Sequence, residues 1–183
     1  MLASIDEWTR HLAALAGPGT MPDLDGPPPT VLAPGTPDTV LWRAACAPHA
    51  ADAAAEADRL LAARPGSSLV DATGFSALEV WTECELGALH ALARWVRLAP
   101  TARRAGCAAR LESLCRWHLE FTQPDNATNR PWALHVFARA GEPEWTLYAE
   151  TLLHNATASD ARHEPRTRWR LPDAVRPLRT PAA

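Results

Sequence analysis

The chain has no lysine: every one of its 18 basic residues is arginine, set against 21 acidic residues for a formal net charge of -3. That balance argues against a protein that is basic overall and built to coat nucleic acid or an anionic bilayer. No run approaches the roughly 18 consecutive apolar residues of a membrane span. The start, MLASIDEWTR, carries Asp6 and Glu7 where a secretory leader wants positive charge and then an apolar core. The expectation is a cytoplasmic chain without a membrane segment. Cysteine is sparse, and Cys46, Cys84, Cys107 and Cys115 form neither a CxxC pair nor a zinc-finger spacing, so the thiols read as reduced and buried. The glycine-rich dinucleotide loop, the phosphate-binding GKS or GKT, the Gly-x-Ser-x-Gly elbow and His-Glu-x-x-His are all missing. No sequence motif therefore specifies a chemistry.

What the sequence does have is proline, 17 of them, and their placement parses the chain. A ring that fixes φ and removes a donor is tolerated at helix starts and in turns but not in helix interiors. Eight prolines lie at or before Pro48, which makes 17–37 a linker or wrapping arm. Between Pro48 and Glu164 only Pro65, Pro100, Pro124, Pro131 and Pro143 occur, each where apolar periodicity also breaks. These predict helices over about 5–16, 48–64, 76–99, 101–122, 131–140 and 143–157, with VLWRAAC before the second, and no strand. Ser4 with Glu7, and Ser76 with Glu79, have capping-box spacing.

Short connections make consecutive helices antiparallel neighbours. The expected fold is all-α: antiparallel helical hairpins in a four-helix core, with short N-terminal helices and a Pro-rich arm. The corresponding organisation is an N-terminal helix at 1–16, the arm at 17–37, a helical core at 38–157 and an Arg/Pro-rich tail at 158–183. The tail, holding Trp169 among the arginines between Arg162 and Arg179, reads as a loosely folded strap, because Pro165, Pro172 and Pro177 interrupt it. Nucleic acid is not the expected partner. ALHALAR at 88–94 is echoed 45 residues later by ALHVFAR at 133–139, with five identities in seven positions, so a two-unit helix-pair repeat is a further possibility.

Projected at 100° per residue, the helix from 77 to 99 places Leu78, Trp81, Ala88, Leu92, Trp95 and Ala99 on one stripe, with Glu85 inside it. The next helix aligns Cys107, Leu111, Leu114, Cys115, His118 and Thr122. Folding both back at Pro100 brings Glu85 beside His118, with an axial offset of about 4.5 Å. Two readings follow. Glu85 and His118 form a catalytic acid/base pair, or they are a satisfied buried pair that fixes register.

The loop from Gln123 to Arg130 is richer in Asp and Asn than a helix-to-helix turn needs. Asp125, Asn126, Asn129, Arg130, Trp132 and His135 are expected to line a ligand pocket at the same end, suited to a small polar or anionic molecule. Glu150 and His154, four apart on one helix face, are a weak candidate for a divalent metal; no cofactor is otherwise expected. Two functions from different classes result: a binding or accessory module contacting a protein partner, or a small helical enzyme or ligand-binding protein working through Glu85 and His118. Oligomeric state is not legible.

Overall fold

The structure, a computed structural model, describes residues 4–17, 35–122, 128–140, 142–159 and 164–179. Among them are eight helices and no strand: α1 (Ile5–Ala16), α2 (Pro37–Cys46), α3 (Ala51–Ala63), α4 (Leu78–Leu98), α5 (Thr101–Phe121), α6 (Leu134–Ala140), α7 (Pro143–Ala158) and α8 (Pro165–Arg179). The fold is all-α, and no helix among the described residues is long and apolar enough to cross a membrane. The chain divides into two compact units, Asp25–Thr122 and the combination of Met1–Leu24 with Gln123–Ala183. The stretch 38–157 is thus parted between them, and most of the arm at 17–37 lies outside the described residues.

In the first of these units α4 is the central helix, packed against α2 on one side and α5 on another, with α3 against α2. Residues 85–95 of α4 are consequently buried all the way round, including His90, which the one-stripe projection had placed outside the core. The projection holds for Trp81, Trp95, Leu114, Cys107 and Cys115, which are buried, while Leu111 is half-buried. It fails at Leu78, which is 63% exposed, because the first turn of α4 extends past its neighbours. The expected Ser76–Glu79 capping box is absent: α4 begins after Ala77 without a side-chain cap. Three surface pairs, Arg43–Glu56, Arg103–Asp58 and Arg64–Asp71, tie neighbouring segments, each contributing little in water.

The other unit pairs α6 with α7 and α1 with α8, and α6 also meets α8. α1 starts with the expected capping box, Ser4 Oγ accepting from the Glu7 amide and Glu7 from the Ser4 amide. Trp8 and Leu12 are its buried residues. Of the tail, the described stretch Pro165–Arg179 is helical and not a loose strap. Pro165 opens α8, where its missing N–H is harmless, and the Glu164 carboxylate accepts from the Thr167 amide at 2.6 Å. Trp169, Leu171, Ala174, Val175 and Leu178 are buried, which compensates for the two interior prolines at 172 and 177. α6 starts at Leu134 and not at Pro131, because Ala133 adopts φ +59°, a left-handed conformation that a helix cannot contain. The two copies of the seven-residue echo therefore differ: Ala88 is inside α4, whereas Ala133 precedes α6.

Candidate functional site

Glu85 and His118 are both fully buried and face each other across the α4–α5 hairpin, with Nε2 of His118 3.9 Å from Oε2 of Glu85. The antiparallel return at Pro100 produces this meeting, as the sequence predicts. The proton positions follow from the neighbours. The Thr122 hydroxyl donates to the His118 carbonyl at 2.9 Å, so its oxygen accepts from Nδ1–H of His118, also at 2.9 Å. Nε2 then presents a lone pair to Glu85. A carboxylate opposite a lone pair is repelled, whereas a protonated carboxyl is not.

Burial acts in the same direction. It pushes the Glu85 carboxyl up to about 7, against the opposing pull of the Val70 and Leu69 amides and of Arg110 and Arg64. It pushes the His118 imidazole down to about 3. Between these two limits, from about 3 up to about 7, both groups are uncharged.

Glu85 has a second role that the sequence reading missed. Its Oε1 accepts the Val70 amide of the segment joining α3 to α4. That segment is pinned at several further points: Trp81 Nε1 donates to the Val70 carbonyl at 3.2 Å, and Arg110 Nη2 donates to the carbonyls of Arg64 and Ser67 at 2.8 and 2.6 Å. Gly66 and Gly74, at φ +74° and +93°, supply the turns at either end of it. Leu69 and Val70 are buried while 71–74 are exposed. An apolar Leu-Val pair set between Pro-Gly-Ser-Ser and Asp-Ala-Thr-Gly was the available signal that this loop tucks inward.

At the open end of the same hairpin, one turn beyond the pair, lies an aromatic ladder. Trp117 meets Trp81 edge-on at 5.8 Å between centroids and His118 edge-on at 5.3 Å, and it stacks on Phe121 at 5.4 Å. Phe121 is 60% exposed, and Leu78 and Val80 on the first turn of α4 are exposed by 63% and 52%. Because Trp81 is level with Trp117 and the helices run antiparallel, Leu78 and Phe121 fall at the same end.

The other expected site residues belong to the other unit or lie outside the described residues. Asp125 and Asn126 are among the latter. Asn129 is exposed and Arg130 half-buried, and the Arg130 amide donates to Thr128 Oγ1 at 3.0 Å, an ordinary turn. Trp132 is not an open wall for a ligand: it is buried, its Nε1 donates to Thr167 Oγ1 at 2.9 Å, and the guanidiniums of Arg166 and Arg170 lie 4.9 and 4.2 Å from its ring centroid. His135 is buried in the same unit. Of the proposed metal pair, Glu150 is half-buried and His154 exposed, and among the described residues no three His, Cys, Asp or Glu side chains form a group that could hold a metal ion.

No family model, curated protein or solved structure matches this chain.

Proposed function

We propose that this chain is a helical binding module that engages a protein partner through the open end of the α4–α5 hairpin, and that Glu85 and His118 serve its architecture. The observation that carries this reading is the contrast between the two features of that hairpin. The acid and the imidazole are at 0% exposure, with Oε1 and Nδ1 engaged by Val70 and Thr122. Towards the open end of the hairpin, Phe121, stacked on Trp117, is left in solvent, as are Leu78 and Val80 on the first turn of α4. Isolated exposed apolar residues are ordinary, but several gathered at one helical end with an aromatic stack are the usual make-up of a contact surface. Acid/base catalysis by Glu85 and His118, the alternative, needs a substrate to reach them, and a general base must come within hydrogen-bond distance of the proton it removes.

Selection of peptides from a random displayed library on the immobilised protein tests this. Enriched peptides should lose binding to a Leu78→Ser/Phe121→Ser variant and keep it for Glu85→Gln. Enrichment that ignores the surface variant but disappears with Glu85→Gln would move the site to the buried pair and favour the alternative.

A further inference from the structure

The charges around the apolar end of the hairpin say what kind of partner fits it. Glu79 and Glu120 are exposed there, on the first turn of α4 and the last turn of α5, and neither makes a hydrogen bond or ion pair among the described residues. Glu83, half-buried, lies one turn further along α4. The cations nearby are already engaged: Arg64 Nη2 lies 2.6 Å from Asp71, and Arg116 Nη2 lies 3.0 Å from Glu112.

Glu79 has a purely local explanation, since an acid in the first turn complements the helix dipole. Glu120 has none. It occupies the last turn of α5, where the carbonyl ends already carry partial negative charge and where a cation, not an acid, stabilises a helix. A positive charge supplied from outside would answer both Glu120 and the helix end. The exposed ring of Phe121, stacked on half-buried Trp117, adds a third attraction, since aromatic rings bind guanidinium and ammonium groups over their faces. The opposite end of the hairpin has the reverse character, with Arg97, Arg103 and Arg104 about the Pro100 turn.

We infer that the segment docking on the open end of the α4–α5 hairpin is cationic and apolar: Arg or Lys interleaved with large apolar side chains that cover Leu78 and Phe121. This rests on the binding-module reading above and specifies its partner chemistry.

The test uses a short helical peptide of leucine and lysine, with leucines on one face, and its leucine–glutamate counterpart, each labelled for fluorescence anisotropy against the full chain. The lysine peptide should bind, and more weakly as salt is raised. Its affinity should fall about tenfold or more with Phe121→Ser and again with Glu79→Lys/Glu120→Lys. Glu142→Lys/Glu144→Lys, an equal change of net charge at the exposed start of α7, should leave it within about twofold.

The inference is overturned if the glutamate peptide binds as well as the lysine one, if Glu142→Lys/Glu144→Lys weakens binding as much as the hairpin variant, or if neither peptide binds. Concentration-dependent dimerisation abolished by Phe121→Ser would also overturn it, by making a second copy the occupant. Displayed peptides that need Leu78 and Phe121 but carry no basic residue would sink this inference alone. Selection indifferent to that surface would sink the module reading with it.

Discussion

Nδ1 of His118 and Oγ1 of Thr122 lie 2.9 Å apart, one helical turn from each other, and this bond decides the state of the buried pair. With the Thr122 hydroxyl donating to the His118 carbonyl, its oxygen accepts from the imidazole at Nδ1. Its other nitrogen is left as an acceptor facing Glu85, and a neutral carboxyl suits that position best.

The pair should give folding stability a specific dependence on pH. The Glu85 carboxyl is raised from 4.5 to about 7 in the folded chain, so its contribution is complete below about 4.5 and is lost as pH climbs through 7. The His118 imidazole is lowered from 6.5 to about 3, so its contribution is complete above about 6.5 and is lost as pH falls towards 3. Between about 4.5 and 6.5 the two slopes cancel, giving a plateau that declines on both sides. Urea unfolding across pH 3 to 8 measures it.

Glu85→Gln imitates the protonated acid, keeping an acceptor for Val70 and offering an amide N–H to His118. Against the parent, its unfolding free energy should therefore rise with pH by about 3 kcal/mol between 4.5 and 7. A difference independent of pH would mean that Glu85 is ionised throughout. Glu85→Ala, which frees both Val70 and His118, should cost about 2 to 4 kcal/mol at any pH.

Thr122→Val removes the acceptor for Nδ1–H while keeping the shape, leaving a buried donor unpaired. A loss of about 1 to 3 kcal/mol by chemical denaturation is expected, against less than about 1 for Thr122→Ser.

In the other unit, Thr167→Val should orphan the indole N–H of Trp132, for a similar loss of about 1 to 3 kcal/mol. Near-ultraviolet circular dichroism should report the altered setting of that tryptophan, whose ring has the guanidiniums of Arg166 and Arg170 over it.

Burial also raises the thiols of Cys107 and Cys115, so neither should react with a thiolate-specific alkylating agent in the folded chain at mildly alkaline pH. Mass spectrometry after brief labelling should find both unmodified, and fully modified once the chain is unfolded in urea.

The pairing of Glu85 with His118 was legible because it needed only the 3.6-residue period and an antiparallel return at Pro100, both of which proline and apolar spacing announce. The Ser4–Glu7 cap was legible for the same reason: its partners are three residues apart. Features that depend on tertiary packing were not. Wheel projection assumes one buried face, but α4 sits between α2 and α5, so His90 is buried and the protruding first turn leaves Leu78 bare. Prolines 172 and 177 argued against a helix that burial of Trp169, Leu171 and Leu178 nonetheless sustains. The left-handed Ala133 has no local signature and shortens α6. The loop that covers Glu85 was hidden because its partner is a backbone amide, which every residue carries.

Hydrogen–deuterium exchange with and without a bound selected peptide tests the central claim most directly, since it maps where a partner sits. Slower exchange confined to 76–84 and 117–122 is the predicted result. Protection instead over 128–139 and 166–170, with the open end of the hairpin exchanging as it does alone, would contradict the account.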